Sequence, residues 1–177
     1  MKQILFEPSK EGEARLLILI AAFSAPDKSL EGRTKLAKLD FFLRYPSYFA
    51  YALRKRPRIS QSAKAEANHA ELEGGTIESR MMRYRFGPWD PAYFSLLGRL
   101  VGKGLVNPVK ERYGIGYQAT DIGLKLANRL SKTEEWQSIA ERTKLLRQYF
   151  DLSGSKLKDF IYKEFPEVTG AKWGEVL

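Results

Sequence analysis

Few residues of this chain could carry acid–base or metal chemistry. Its 177 residues include no cysteine and a single histidine, His69. The composition therefore excludes disulfides, thiolate nucleophiles and cysteine-ligated zinc or iron–sulfur clusters. Glu66, His69, Glu71 and Glu73 form the one cluster with the residue types of a metal site. Because nothing in that stretch fixes their geometry, we expect no metal there, and we predict no cofactor.

Glycine motifs that cradle phosphates are also missing. The stretch GRLVGKG at residues 98–104 has three residues between its glycines and no Ser or Thr after Lys103, so it is not a P-loop. The stretch GIGYQA at residues 114–119 falls at a hairpin tip, where a dinucleotide-binding turn is not expected. Carboxylates such as Asp40 show no paired catalytic arrangement. The sequence therefore predicts a protein that is not an enzyme, without ATPase or nuclease activity of its own.

Basic residues offer the other candidate chemistry. Lys and Arg total 30 against 21 Asp and Glu, a net charge of +9 that suggests a polyanionic partner such as double-stranded DNA. The candidate DNA contacts, all basic, are Arg54, Lys55, Arg56, Arg58, Arg83, Arg85, Arg99, Lys103, Lys110 and Arg112. Contacts of this kind reach phosphates, carry no sequence information and weaken with salt. A solvated charged face would explain the same residues.

The elements that position these residues are mainly helical. Apolar periodicity and capping residues predict helices over residues 11–24, 33–45, 48–54, 91–103 and from 120 to about 130, followed by two further helices that end near residues 150 and 166. Residues 2–6 could form a short strand or an extended arm. In the second helix the apolar stripe should be buried, with Lys35, Lys38 and Arg44 pointing elsewhere.

Residues 55–77 differ in composition from the rest and end at Gly74-Gly75. We expect an exposed basic insertion with about one turn of helix around residues 63–72. Residues 80–86 have strand composition. Because side chains alternate along a strand, Arg83 and Arg85 should share the exposed face, and the face with Tyr84 and Phe86 should be buried.

The order helix, hairpin, helix after Pro91 is that of a winged helix. Strands at residues 105–109 and 117–119 flank a basic, glycine-bearing tip, which is a hairpin signal. The predicted fold is therefore mainly α with small β (α+β): a winged helix-turn-helix domain over residues 1–132, with the insertion, and a C-terminal helical extension over residues 133–177. The recognition helix would present Ala92, Ser95, Arg99 and Lys103, few of which could read bases.

The C-terminal extension adds more apolar surface than a cap needs. Ile122, Leu126 and Leu130 should already close the winged-helix core. Large aromatic residues on a rigid helix suit the centre of an interface. We therefore place a protein-partner surface on four residues of the extension: Trp136, Phe160, Ile161 and Trp173.

The stretches RTKLAKLDFFLRYP and YRFGPWDPAYFSLLGRLVGKGLV together resemble one family. It comprises the small winged-helix middle components of bacterial ABC-three-component antiphage defence systems, which include Lamassu-type systems. The resemblance covers roughly residues 15–130, and more loosely FIYKEFPEV and KWGE near the C-terminus. It implies a non-enzymatic accessory subunit that sits with an SMC-like ATPase and a nuclease-type effector in a complex responding to foreign DNA.

A stand-alone winged-helix regulator or antitoxin is the alternative. A regulator should dimerise symmetrically and carry base-reading side chains on its recognition helix. An adaptor should instead bury its apolar C-terminal surface against a different protein. The longest apolar run, residues 16–23, is far short of the ~20 residues of a membrane span. Glu7, Glu11 and Glu13 are unlike the start of a secretory signal, so we expect a cytoplasmic protein without a membrane partner.

Overall fold

The computed structural model describes residues 6–73 and 80–177. Residues 2–5 of the segment expected to be a short strand or an extended arm lie outside these ranges, as does the turn at Gly74-Gly75. Within them the chain is a mixture of helix and short antiparallel β-sheet, as predicted. The helices are α1 (Lys10–Ala22), α2 (Gly32–Arg44), α3 (Pro46–Arg54), α4 (Gln61–Leu72), α5 (Tyr93–Gly102), α6 (Asp121–Leu130), α7 (Glu134–Tyr149), α8 (Gly154–Glu164) and α9 (Pro166–Gly170). The strands are β1 (Met82–Tyr84), β2 (Gly87–Trp89), β3 (Val106–Glu111) and β4 (Gly114–Ala119).

The central helices α1 and α2 are buried nearly all round. The Ser9 hydroxyl caps α1 by accepting a hydrogen bond from the backbone N–H of Gly12 at 2.9 Å. Every residue of α2 from Lys35 to Arg44 is buried. The expectation that Lys35, Lys38 and Arg44 point away from the core was wrong, because other elements cover α2 on all sides.

The hairpin and helix after α5 follow the predicted order. Gly104, with φ +69°, ends the α5 turn, and β3 then pairs with β4 in register from Val106–Ala119 to Glu111–Gly114. Thr120 caps α6 by accepting a hydrogen bond from the N–H of Gly123 at 3.0 Å. Leu30, between α1 and α2, pairs with Tyr117 of β4 through two backbone hydrogen bonds. The hairpin thus has a third extended segment along its edge.

The segment expected to be an exposed insertion forms a complete helix. Its α4 runs for 12 residues, capped by Ser60, so the prediction of a single turn was wrong. Ala63, Ala67 and Ala70 are fully buried against the rest of the domain. Alanines at this helical spacing make a narrow stripe that allows a close approach, which a search for large apolar residues does not detect.

The buried face of β1 is the opposite of the predicted one. Met81 and Arg83 are buried, whereas Tyr84 and Phe86 are about half exposed. Residues 174–177 extend the sheet along the free edge of β1: the N–H of Arg83 donates to Glu175 O, and the N–H of Leu177 donates to Met81 O, both at 2.8 Å. The face with Arg83 is covered by the C-terminal helices, since the Arg83 guanidinium donates to Thr169 O of α9 and to the Tyr162 hydroxyl of α8, and the aromatic face stays at the surface.

The C-terminal helices share one hydrophobic core with the rest of the chain. Phe150, Leu157, Ile161 and Phe165 belong to the same buried cluster as the side chains of α1 and α2. Ile122, expected to close that core, is 66% exposed, and Gly123 and Ala127 take the buried positions of α6. Asp151 stabilises the region further through ion pairs with three cations: Lys28, Lys35 and Arg147. Of the helices in residues 6–73 and 80–177, none combines the length and apolarity required to cross a membrane.

Candidate functional site

A groove opens where the start of α2 meets the two hairpins. It consists of two adjoining clefts of about 590 Å³ and 550 Å³. Both are lined by Glu31, Gly32 and Thr34 at the start of α2, by Phe86 of the β1–β2 turn, and by Tyr113 and Ile115 of the β3–β4 tip. We call the first the aromatic lobe and the second the basic lobe, for the residues that distinguish them.

The aromatic lobe collects rings that a folded core would normally hide. Its ring-bearing residues are Tyr84, Phe86, Trp89, Phe94, Tyr113 and Tyr117. Tyr113 is 87% exposed and Phe94 is 58% exposed. The Arg33 guanidinium lies 4.5 Å from the centroid of the Phe94 ring. A contiguous group of exposed rings is typical of a binding surface, because scattered single apolar residues are the usual surface pattern.

The basic lobe lies between the β3–β4 tip and the start of α8. Arg112 and Lys158 line it together with the hydroxyl residues Thr34, Ser153 and Ser155. Lys158 Nζ is 3.5 Å from Asp159 Oδ1 in an exposed pair. The helices α2 and α8 begin side by side here, since a Cβ atom placed on Gly154 would lie 3.5 Å from the backbone N of Lys35.

The two carboxylates that line the groove are already engaged. Glu31 Oε2 lies 3.0 Å from Lys35 Nζ, and Glu111 accepts a hydrogen bond from the Ser29 hydroxyl. The cations of the groove therefore outnumber the available carboxylates, and the potential inside it is positive.

Lys38 is the most unusual group at this site. It is 1% exposed, lines the aromatic lobe, and donates one hydrogen bond from Nζ to Phe86 O at 2.5 Å. In the described part of the chain no carboxylate lies within ion-pair distance of Nζ. Burial, with smaller contributions from the positive charges of Lys158 and Arg83, lowers the pKa of Lys38 from 10.5 to about 8. The chain therefore buries an ammonium group without an anion.

A second buried charge cluster, on the other side of α2, is fully paired. Arg15 Nε lies 2.6 Å from Asp40 Oδ1, and Arg44 Nη1 lies 2.6 Å from Asp90 Oδ2. The Tyr93 hydroxyl donates to Asp40 Oδ2 at 2.8 Å. Burial alone would raise the pKa of Asp40, but Arg15 and Arg44 hold it below its ordinary value. These residues join α1, α2 and α5, and their geometry is that of a structural network.

The basic residues of the predicted recognition helix face a carboxylate of the same chain. Arg99 Nη1 lies 3.4 Å from Glu13 Oε1 and donates to Pro8 O at 3.1 Å, and Lys103 Nζ is paired with Glu13 Oε2. The exposed face of α5 is otherwise made of Phe94, Ser95, Gly98, Val101 and Gly102. It is apolar and small rather than basic.

Most of the basic run at residues 54–58 is also occupied. Arg54 pairs with Glu71 at 2.6 Å and donates to Asn68 Oδ1 at 2.9 Å. The Lys55 ammonium lies 5.0 Å from the Tyr51 ring centroid. Arg56 packs its guanidinium 5.4 Å from the Phe150 ring, and Arg58 is exposed with φ +54°.

The remaining predicted DNA contacts fall into two groups, one buried and one exposed. Arg83 is buried, and its guanidinium donates to Thr169 O at 3.0 Å and to the Tyr162 hydroxyl at 3.1 Å, so it ties the hairpin to the C-terminal helices and is not positioned for a phosphate. Arg85, Lys110 and Arg112 are exposed. Arg112 lines the basic lobe, and Arg85 lies over the ring of Phe86, which lines both lobes.

The four predicted partner residues have different surroundings. Ile161 is fully buried, so its assignment to a partner surface was wrong: the C-terminal helices turn this face into the core. Phe160 is half-buried, with its ring centroid 5.7 Å from that of Phe150. Trp136 lines a separate cleft of about 360 Å³ beside Arg142. Trp173 is 67% exposed, and its ring centroid lies 6.3 Å from that of Tyr84 at the edge of the groove.

The glutamates around His69 bind arginines. Arg142 is 1% exposed and pairs with Glu66 at 3.0 Å and with Glu73 at 2.7 Å, so it joins α7 to α4 and the residue after it. Glu71 pairs with Arg54. Across residues 6–73 and 80–177, no three His, Asp or Glu side chains come together as a metal site.

Sequence reasoning missed the residues that define the groove. Lys38 and Arg33 lie on a helix interpreted as packing alone, and Lys158 lies on a helix interpreted as a partner surface. The density of aromatic residues between Tyr84 and Phe94 was the available signal, since five of those eleven residues are aromatic.

Comparisons with known proteins identify no relative. The chain matches no family model, no curated protein and no solved structure.

Proposed function

We propose that this chain is a non-enzymatic accessory subunit of an SMC-like ATPase antiphage complex in the cytoplasm. In this role it bridges the ATPase and a nuclease-type effector, and it touches duplex DNA only through phosphates. The observation that supports this role best is the composition of the exposed face of α5. Where a regulator would present base readers, this helix presents Phe94, Ser95, Gly98 and Val101, and its two basic residues are paired with Glu13.

The order of the elements supports a winged-helix scaffold for this role. Helix α1, the extended segment at Leu30, helix α2, helix α5, the β3–β4 hairpin and helix α6 follow one another as in a winged helix. The segment from α3 to β2 then stands as an insertion between α2 and α5. In this interpretation the β3–β4 hairpin is the wing, and exposed Lys110 and Arg112 are its phosphate contacts.

A small, apolar helix face suits contact with protein better than contact with base edges. Gly98 has no heavy atom within 4 Å of its hypothetical Cβ, so the surface there is open to a partner. Sequence-specific regulation, the alternative function, needs long polar side chains near the start of α5, and that part of the helix carries Tyr93 and Phe94 instead.

Co-purification tests the adaptor role. The tagged chain is expressed with the proteins encoded beside its gene, and we expect a coiled-coil ATPase and a nuclease-type protein to co-purify. Gly98→Glu should remove this association and leave the melting temperature unchanged, because nothing occupies the space around Gly98. Lys125→Glu, on the exposed side of α6, is the matched control. If the Gly98→Glu variant still co-purifies with both proteins, α5 is not part of the partner surface.

Duplex binding separates the adaptor from the regulator. We expect equal affinity for native and scrambled sequences, and a salt slope that falls by about one unit for each of Lys110 and Arg112 changed to Gln. A preference for one sequence that survives at raised salt would establish the regulator instead. The purified chain should hydrolyse neither ATP nor DNA.

A further inference from the structure

We propose that the groove between the two hairpins binds a nucleotide unit, with its base against the rings of the aromatic lobe and its phosphate at the boundary of the two lobes, near Lys38 of the aromatic lobe and Lys158 of the basic lobe. This inference is independent of the adaptor role. It also differs from phosphate contact by the wing, because a base inside a duplex cannot offer its face to a protein ring.

The unpaired charge of Lys38 is the first observation behind it. Burying an ammonium group costs free energy unless an anion accompanies it. Within residues 6–73 and 80–177 its hydrogen-bond partner is the Phe86 carbonyl alone, and the charged groups beside it, Arg83 and Lys158, are cations. The other buried lysine of α2, Lys35, pairs with both Glu31 and Asp151. A bound phosphate would provide for Lys38 what these carboxylates provide for Lys35.

The arrangement of the two lobes is the second observation. The two lobes differ in their rings and hydroxyls: six rings line the aromatic lobe, and Ser153 and Ser155 line the basic lobe, while two cations line each of them. A nucleotide has the same division, since a flat apolar base is joined to an anionic, hydrogen-bonding phosphate. Each cleft, at about 590 Å³ and 550 Å³, falls within the roughly 300–1,000 Å³ typical of small-ligand sites.

The engaged carboxylates are the third observation. Glu31 is paired with Lys35, whereas Glu111 accepts a hydrogen bond from the Ser29 hydroxyl and keeps its negative charge. A phosphate at the boundary of the lobes therefore meets four lining cations, Arg33, Lys38, Arg112 and Lys158, against one lining carboxylate that is not paired with a cation. The N-termini of α2 and α8 face the basic lobe and add partial positive charge. An acidic peptide would satisfy the cations, but it would leave the flat rings of Phe94 and Tyr113 without a stacking partner.

Binding of short oligonucleotides to the full chain tests the proposal. The probe is a fluorescein-labelled, 5′-phosphorylated oligo(dT) of ten nucleotides, followed by fluorescence anisotropy at low salt. Tyr113→Ala should weaken binding by about fivefold or more, the effect of removing one stacked base. Arg112→Gln should weaken it as well, and Lys38→Met should do so most strongly. Lys125→Gln removes an exposed charge that lines neither lobe and should leave the affinity within twofold.

Competition distinguishes the two sources of the ligand. If AMP or ATP displaces the probe completely, the site takes a free nucleotide; if only unlabelled oligo(dT) displaces it, the site takes single-stranded nucleic acid. Either result supports the proposal. Failure of the probe and of labelled ATP to bind, or equal binding by all the variants, would overturn it, and so would capture of poly-glutamate in their place.

Folding is monitored in the same experiment. Tyr113 is 87% exposed and Arg112 is exposed, so both variants should melt with the wild type. Lys38→Met should melt no lower than the wild type, because it removes an unpaired buried charge. If Lys38→Met unfolds instead, the two surface variants alone decide the outcome. None of these measurements involves the ATPase or the effector, so the groove and the adaptor role fail separately.

Discussion

Helix α2 buries charge on two sides in opposite ways. On one side Asp40 and Arg44 enter a network in which each charged group meets its opposite within 4 Å. On the other side Lys38 is equally buried, but among the residues that the structure describes its ammonium bonds only to a carbonyl. The two sides belong to one helix with one sequence pattern, so the difference comes from the elements packed against them.

The paired side meets α1 and α5, which bring Arg15, Asp90 and Tyr93. The unpaired side meets the β1–β2 turn, which brings backbone and rings but no carboxylate. Paired buried charge of the first kind fixes how the helices pack. Unpaired buried charge destabilises the fold, and it is a common signature of a binding or catalytic group. The contrast therefore separates scaffold from candidate site, and four measurements can break or sharpen it.

The largest effect is expected from Asp40→Asn. The substitution removes the buried negative charge that Arg15 and Arg44 share, while the pair between Arg44 and Asp90 remains. Breaking a buried pair from one side costs about 3–5 kcal/mol of unfolding free energy. Urea denaturation measures it, with Glu141→Gln, an exposed α7 residue paired with Lys144, as a control that should change stability by under ~1 kcal/mol. A loss for Asp40→Asn no larger than the control's would show that the network is not structural.

Lys38→Met should have the opposite sign. In the folded chain the pKa of Lys38 is about 8, against an ordinary value of 10.5, so the charged form costs roughly 3 kcal/mol. We expect the variant to gain about 1–3 kcal/mol below pH 8, the lower values reflecting loss of the bond to Phe86 O. The unfolded wild-type chain holds the Lys38 proton more tightly than the folded chain does. The unfolding free energy of the wild type therefore rises from pH 8 to 10.5, and the stability advantage of the variant shrinks over the same range.

Denaturation of Lys38→Met at pH 7 and pH 10 measures both effects. A variant less stable than the wild type at pH 7 would mean that the ammonium is compensated in the folded chain, and the contrast between the two sides of α2 would disappear.

Asp151→Asn tests a paired group at the edge of the core. Burial opposes ionisation, but hydrogen bonds from Lys28 and Lys35 lower the pKa of Asp151 to about 2 from 3.8. This corresponds to about 2 kcal/mol of stability, present above pH 3.8 and lost as the pH falls through 2. Acid titration of the melting temperature should show the wild type and the variant converging below pH 2. If the melting temperatures of the wild type and the variant instead fall in parallel, other carboxylates cause the loss of stability in acid.

The smallest effect is expected from Arg99→Gln combined with Lys103→Gln. Both cations are about half exposed and pair with Glu13, so the double variant should lose under about 1 kcal/mol. Because Glu13 offsets one of the two positive charges, the salt slope of duplex binding should fall by no more than about one unit. If the salt slope instead falls by about two units, α5 contacts phosphates and our interpretation of its face is wrong.

The sequence predicted the elements with strong local signals. Asp90-Pro91 and Gly104 bracket α5, and the glycine-bearing tip between β3 and β4 marked the hairpin. The full length of helix α4 was not predicted because its buried stripe consists of alanines, which contribute little to an apolar periodicity. The buried face of β1 could not be predicted because helices α8 and α9, remote in sequence, decide which side is covered.

The candidate site was predictable only in part. Lys110 and Arg112 followed from the hairpin, whose tip is exposed by local geometry. Arg83 and Lys38 did not, because whether a long basic side chain reaches water or a carbonyl depends on tertiary neighbours. Arg99 and Lys103 looked free because their partner, Glu13, lies on another helix.

The pairing of residues 174–177 with β1 also has a kinetic consequence. The Tyr45 hydroxyl donates to Leu177 O across 132 residues of sequence, and the same few residues flank Met81 and Arg83. Contacts between residues so far apart in sequence form late in folding, because forming them costs the conformational entropy of closing a long loop. The hairpin that carries Tyr84 and Phe86 is thus completed only when this remote segment docks, and amide exchange in the two should proceed as one cooperative unit.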